Sequence, residues 1–175
     1  MQRQCGECSL CCRLVPVKAL RKGAGERCQH QRHTGCAIYA KRPIDCAIWT
    51  CRWLSNDDTA DLRRPDRSHY VIDLVPDFIQ IESEGVKNDI PVIQVWLDSA
   101  YPDAHEDPAL RAYLERRARE GYVALVRTGA HEAFTIFAPP MVSDHQWHVV
   151  MHGTEAPEHT TEEIVAKLAA LGRMG

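Results

Sequence analysis

Eight cysteines in the first third of the chain constrain its folding more than any other feature of the sequence. The 124 residues that follow the last of them contain no cysteine. Residues 1–66, which contain the cysteines, are interrupted by glycine and proline residues and show little regular hydrophobic periodicity. We therefore expect the fold of this segment to depend on a bound metal rather than on an apolar core. The eight positions are Cys5, Cys8, Cys11, Cys12, Cys28, Cys36, Cys46 and Cys51.

The cellular compartment bears on what these thiols can do. The N-terminus lacks the apolar core of a secretory signal, and no run of residues approaches the ~18 apolar residues that are needed to cross a bilayer. We therefore expect a cytoplasmic protein with no membrane partner. Because cytoplasmic thiols are kept reduced, a dense cysteine set favours metal binding or redox chemistry over a disulfide framework.

The part of the chain that contains the cysteines also differs from the rest in charge. Residues 1–66 carry 12 Lys and Arg against 7 Asp and Glu, a local charge of +5, whereas residues 67–175 carry −8. A basic segment can indicate nucleic-acid binding. Eight metal-bound thiolates would add eight negative charges here, and two divalent ions would then leave +1. We therefore interpret the basic residues as neutralising the site and do not expect a nucleic-acid partner.

The pattern changes to short strands rich in Val and Ile from about residue 69. Residues 70–75 and 78–83 are predicted to form a hairpin, followed by a strand over 92–97. A helix is then predicted, with Asp107 as its N-cap, Pro108 at its first position and Gly121 as its stop. Further strands are predicted over 122–127, 133–137 and 148–151, before a last helix that opens at Thr160.

These elements together predict an α+β protein. A cysteine-rich, metal-stapled lobe over residues 1–66 is expected to pack on a mostly antiparallel sheet with two helices over residues 67–175. No flexible Gly/Ser linker separates the two parts, so they can form one integrated domain.

The spacing of the first four cysteines is the strongest local pattern. Residues 5–12 read C-x-x-C-x-x-C-C, and such two-residue spacers let the backbone wrap around a shared ion or cluster while thiolates converge. Downstream lie G-C-x-I-Y around Cys36, R-P-x-x-C ending at Cys46 and C-x-W beginning at Cys51. In these elements, over residues 5–54, the chain resembles the YkgJ-type cysteine cluster family, which is described as a zinc- or iron-chelating domain. The resemblance implies metal binding at all eight cysteines.

The identity of the metal stays open between two possibilities. Three cysteines at successive two-residue spacers with a distant fourth resemble the ligation of an iron-sulfur cluster, which we slightly favour, whereas zinc sites usually pair two C-x-x-C knuckles. Adjacent Cys11 and Cys12 can face one ion only with strain, so they can serve different ions or leave one thiolate spare. His30 and His33 are alternative ligands, although exposed loop histidines explain them more simply.

Three functions follow from a cysteine site of this kind. We favour a binding module whose metal centre is structural or electron-carrying, with the α+β layer supporting it or docking an unknown protein partner. The alternative is a metal- or iron-sulfur-dependent enzyme acting on a small-molecule or protein substrate. Longer proteins that share the motif include flagellin lysine N-methylases, so the resemblance also implies methyl transfer. A thiol redox sensor is the third hypothesis. The sequence identifies no catalytic residue, and it has no P-loop, G-x-G-x-x-G or G-x-S-x-G motif.

Overall fold

The computed structural model describes residues 3–33, 35–73, 77–83, 85–127, 133–137 and 148–151. The first 68 residues form short elements joined by turns, and a sheet and one longer helix follow. The helices are α1 (Cys11–Leu14), α2 (Ile44–Ile48), α3 (Arg52–Ser55), α4 (Pro65–Ser68) and α5 (Pro108–Arg119), with 3₁₀ turns at Lys18–Leu20, Tyr39–Lys41, Asp57–Thr59 and Pro102–Glu106. Within the described ranges, no helix is both long and apolar enough to cross a bilayer.

The strands form a small hairpin and one larger sheet. They are β1 (Gln31–Arg32), β2 (Gly35–Cys36), β3 (Tyr70–Ile72), β4 (Asp77–Ser83), β5 (Val86–Leu97), β6 (Val123–Arg127), β7 (Ala133–Phe137) and β8 (His148–Met151). β1 pairs with β2, and the larger sheet has the order β3-β5-β6-β7-β8, with β4 also paired to β5. Only β5 and β6 pair in parallel, while the other neighbours are antiparallel. The predicted α+β class and mostly antiparallel sheet are therefore confirmed.

The predicted hairpin between residues 70–75 and 78–83 is wrong. β3 and β4 do not pair with each other, because both lie along β5, which begins at Val86 rather than at residue 92. Tyr70 is opposite Leu97 at one end of β5, and Phe78 is opposite Pro91 nearer the other end. The true hairpin is β4–β5, turning at Gly85 with a φ of +78°, a conformation that glycine adopts without steric cost.

Helix α5 follows its sequence signals. The Asp107 side chain accepts a hydrogen bond from the Ala109 N–H at 3.0 Å, Pro108 opens the helix, and Gly121 follows its end with a φ of +88°. Leu110, Tyr113 and Leu114 are buried on one face, so this prediction is confirmed. The predicted helix from Thr160 lies outside the described residues.

The two faces of the sheet carry different parts of the molecule. Side chains alternate along a strand, so Tyr70 and Ile72 belong to one face and Val71 to the other. The first face packs in a core with residues of α5 such as Leu110. On the second face, Val71 and Trp96 form a separate buried cluster with Leu10, Leu14 and Val15 of the cysteine-rich segment. The predicted boundary at residue 66 falls within α4, and the division of the chain there stays a prediction.

Candidate metal centre

All eight cysteines line a single cavity of about 530 Å³, which we call the cysteine cavity. All eight are free thiols, and their exposure ranges from exposed Cys5 to buried Cys28. Apolar side chains, among them Val17, Leu20 and Trp49, complete much of the wall. The fold thus brings to one place every thiol of a segment that is 47 residues long.

The first four cysteines lie on consecutive turns. The Cys8 N–H donates to the Cys5 carbonyl at 2.9 Å, and the Cys12 N–H donates to the Ser9 carbonyl at 3.0 Å. Helix α1 then begins at Cys11. The first two-residue spacer therefore corresponds to one backbone turn, and a second turn from Ser9 leads into α1, so the four thiols lie on a short, compact loop. We call residues 5–12 the first loop.

Backbone and side-chain contacts tie the later cysteines to the first loop. The Cys28 N–H donates to the Cys12 carbonyl at 2.9 Å. Gln31 Nε2 donates to the carbonyl and the hydroxyl of Ser9 at 3.0 and 2.9 Å, and Gln31 is also the register partner of Cys36 in the small hairpin. These bonds place the small hairpin beside the first loop, although about twenty residues separate them in sequence.

The last cysteine is attached to the sheet. Cys51 forms an isolated β-bridge with Asp73, immediately after β3. The indole N–H of Trp49 donates to Asp73 Oδ1 at 2.8 Å, and that of Trp96 donates to Oδ2 at 3.4 Å. One carboxylate therefore joins the wall of the cysteine cavity, which includes Trp49, to the central strand β5, which includes Trp96.

A charged pair supports the first loop from outside the cavity. Gly6 has a φ of +53°, and a Cβ atom there would lie 3.1 Å from Arg64 Nη1. The other guanidinium nitrogens of Arg64 form a two-pronged ion pair with Asp66, at 2.6 and 2.7 Å. The Asp66 backbone N–H donates a hydrogen bond to the Cys8 sulfur. This bond lowers the pKa of the thiol and partly offsets the effect of its burial, which raises it. The segment that begins α4 therefore holds the loop at both Gly6 and Cys8.

The ionisation of the thiols follows their burial. Burial raises the pKa of Cys5, Cys8 and Cys46, and it raises that of Cys51 to about 11. Such thiols are protonated at neutral pH, so binding a metal ion to them must release protons.

Adjacent Cys11 and Cys12 behave differently, because their thiols hydrogen-bond each other. This bond and burial raise the pKa of Cys11 well above its usual value. The same bond, together with the charge of Lys22, lowers the pKa of Cys12 to about 7 despite partial burial. Cys12 is therefore the more acidic thiol of the pair.

The thiols share a cavity without converging on one point. Among the described residues, no group of three or more His, Cys, Asp or Glu side chains is arranged so that it could hold a metal ion. The donor set nevertheless has the chemistry that zinc and iron-sulfur clusters require, since thiolate sulfur is the preferred soft ligand of both. The residue types thus fit such a group, and the thiol side chains would have to move together to bind it.

Several residues of the cavity wall were not predicted from the sequence. Arg42, Asp45 and Trp49 line the cysteine cavity, and Arg42 Nε donates to the Cys46 carbonyl at 3.1 Å. Of the two candidate histidines, His30 lines the cavity, whereas His33 is not part of the described wall. The R-P-x-x-C element was the available signal for Arg42, but nothing local marked Asp45 or Trp49 as part of the site.

No family model, curated protein or solved structure matches this chain. The resemblance to the YkgJ-type cysteine cluster family therefore rests on the motif elements alone.

Proposed function

We propose that this protein is a cytoplasmic metal-binding protein that holds iron, as an iron-sulfur cluster, or zinc through its cysteine cavity. One observation carries the proposal. All eight cysteines are free and line the same cavity, although they come from separate turns, a hairpin and helices. Unliganded cysteines that serve only as small hydrophobic residues would not need to share one cavity wall.

The chemistry of the wall favours a soft metal over a hard one. Thiolates prefer zinc and iron-sulfur clusters, whereas magnesium and calcium require oxygen ligands. Asp45 contributes the one carboxylate of the described wall, and its Oδ2 already accepts a hydrogen bond from the Ala19 N–H at 3.1 Å. The local charge of +5 offsets the thiolates that binding would create.

We propose a structural or electron-carrying role for the bound metal. The first 68 residues have only short elements, and their apolar contacts with the sheet are the cluster around Leu10, Leu14 and Val71 and the packing of Trp53 and Leu62 in the larger core. A metal that joined the eight thiols would add a second set of links within this segment, and its binding free energy would stabilise the fold.

A metal-dependent enzyme is the second candidate, and the size of the cavity favours it. A volume of about 530 Å³ falls in the range of small-molecule pockets, which is roughly 300–1,000 Å³. A substrate could share the cavity with the metal if one coordination position stayed open. Of the two candidates, the binding role needs fewer assumptions, because it requires neither an open coordination position nor a substrate.

A cobalt titration of reduced, metal-free protein tests the proposal. Cobalt(II) reports thiolate ligands directly through sulfur-to-metal charge-transfer absorption, and zinc competes for the same ligands. We expect stoichiometric charge-transfer bands that zinc abolishes. Absence of these bands in protein whose eight thiols are verified as reduced would contradict a metal-binding function and would favour the thiol redox sensor.

A further inference from the structure

We infer that the cysteine cavity holds two metal centres, divided between the adjacent residues Cys11 and Cys12. The inference rests on the proposed metal-binding function and adds the number of centres and their ligands. The inner set, next to the sheet, is Cys5, Cys8, Cys11 and Cys51. The outer set, on the side of the small hairpin, is Cys12, Cys28, Cys36 and Cys46.

Helical geometry separates the two adjacent cysteines. Cys11 and Cys12 are the first two residues of α1, and consecutive residues of an α-helix point about 100° apart. Side chains that leave a helix in different directions can reach into two neighbouring sets of ligands. The sulfur atoms still lie within hydrogen-bond reach of each other, so the two sets would meet at this pair.

Packing assigns three cysteines to the inner set. Cys8, Cys11 and Cys51 all contact the apolar cluster that contains Val71 and Trp96 of the sheet. Cys12, Cys28, Cys36 and Cys46 are not among the residues described as packing there. Packing against the sheet cluster therefore distinguishes these three cysteines from the others.

Backbone bonds complete both sets. Cys5 belongs with Cys8, because its carbonyl accepts the Cys8 N–H. In the outer set, the Cys28 N–H bonds to the Cys12 carbonyl. Gln31 links the strand that carries Cys36 to the first loop through Ser9.

Four ligands in each set match the coordination number of structural zinc sites and the four thiolates of a cubane iron-sulfur cluster. The charge is also reasonable. Eight thiolates with two divalent ions and the basic residues of the segment leave a local charge of only +1. A single four-ligand centre would instead leave four thiols of the same cavity without a role.

Cadmium-113 NMR of the cadmium-loaded full-length chain tests the division without any substitution. Each cadmium resonance correlates with the β-protons of the cysteines that bind it. We expect two resonances, one correlated with the inner set and the other with the outer set. One resonance, or two resonances whose ligand sets mix Cys51 with Cys46, would overturn the inference while leaving metal binding intact.

Native mass spectrometry of zinc-loaded variants gives a second, independent count. Cys51→Ser and Cys46→Ser should each reduce the zinc content from two ions to one, and the double variant should bind none. Full zinc content in either single variant would overturn the division. A wild-type chain that takes up neither cadmium nor zinc, and that holds no iron when purified without oxygen, would instead overturn the proposed function, and the division with it.

Discussion

The indole N–H of Trp49 donates to the carboxylate of Asp73 at 2.8 Å, and this bond joins the cysteine cavity to the sheet. Trp49 lines the cavity and Asp73 directly follows β3. The Cys51–Asp73 bridge lies beside it. The position of the last cysteine therefore depends on a residue that the metal-binding motif does not include.

Replacing Trp49 with Phe should lower the free energy of unfolding by ~1–3 kcal/mol, because it leaves a partly buried carboxylate without one of its donors. Denaturant unfolding measures this loss. In an Asp73→Ala background the same substitution should cost much less, and an equal loss in both backgrounds would contradict a stabilising role of the Trp49–Asp73 bond.

Removing the metal should unfold the cysteine-rich segment while the sheet persists. Much of that segment's stability is expected to come from ligation, whereas the core between α5 and the sheet is apolar and contains no cysteine. Cys8→Ser should have a similar, partial effect and lower the metal content. The measurements are metal analysis and circular dichroism with and without a chelator. His33→Gln is the control, and equal metal loss in that variant would mean that the site is misplaced.

Gly6→Ala should destabilise the protein more than Gly121→Ala. Both glycines have positive φ, at +53° and +88°, so each substitution carries a backbone cost of about 1 kcal/mol. Only at Gly6 does the added methyl group meet another side chain, Arg64 Nη1 at 3.1 Å, while nothing lies within 4 Å at Gly121. We also expect weaker metal binding in Gly6→Ala alone. Equal losses of stability and unchanged metal affinity would argue against support of the first loop by Arg64.

Replacing Asp107 with Ala should lower the free energy of unfolding by about 1 kcal/mol, because α5 loses its N-cap. The same carboxylate also accepts a hydrogen bond from the Tyr70 hydroxyl at 3.3 Å. Asp107→Asn retains the capping oxygen and should cost less. Thermal unfolding compares the two variants, and metal content should be unchanged in both. An equal loss of stability would show that the charge of Asp107, rather than its cap, stabilises the helix.

The sequence predicted the elements whose ends are marked by nearby residues, but it did not predict which distant strands pair with each other. Helix α5 was predictable because Asp107, Pro108 and Gly121 mark its ends by short-range chemistry. The strand partners of β5 were not, because Val86, Lys87 and Asn88 are exposed and show no apolar alternation, and Pro91 argues against a strand interior. The mistaken hairpin between residues 70–75 and 78–83 follows from this.

The same distinction holds for the candidate site. The cysteine spacing identified thiols that line the cavity, because the first four lie on two successive local turns. The bond between Trp49 and Asp73 spans 24 residues, and the contact of Arg64 with Gly6 joins two turns that have no shared pattern. Such supporting contacts depend on the tertiary fold, so spacing alone does not reveal them.

The most direct test of metal binding through the cysteine cavity is elemental and sulfide analysis, with a visible absorption spectrum, of protein purified without oxygen. We predict either brown protein with iron and matching acid-labile sulfide, or colourless protein with about two zinc ions per chain. In both cases, alkylation of the cysteines after chelation should prevent the metal from binding again. Protein with eight reduced thiols and no stoichiometric metal would contradict the account.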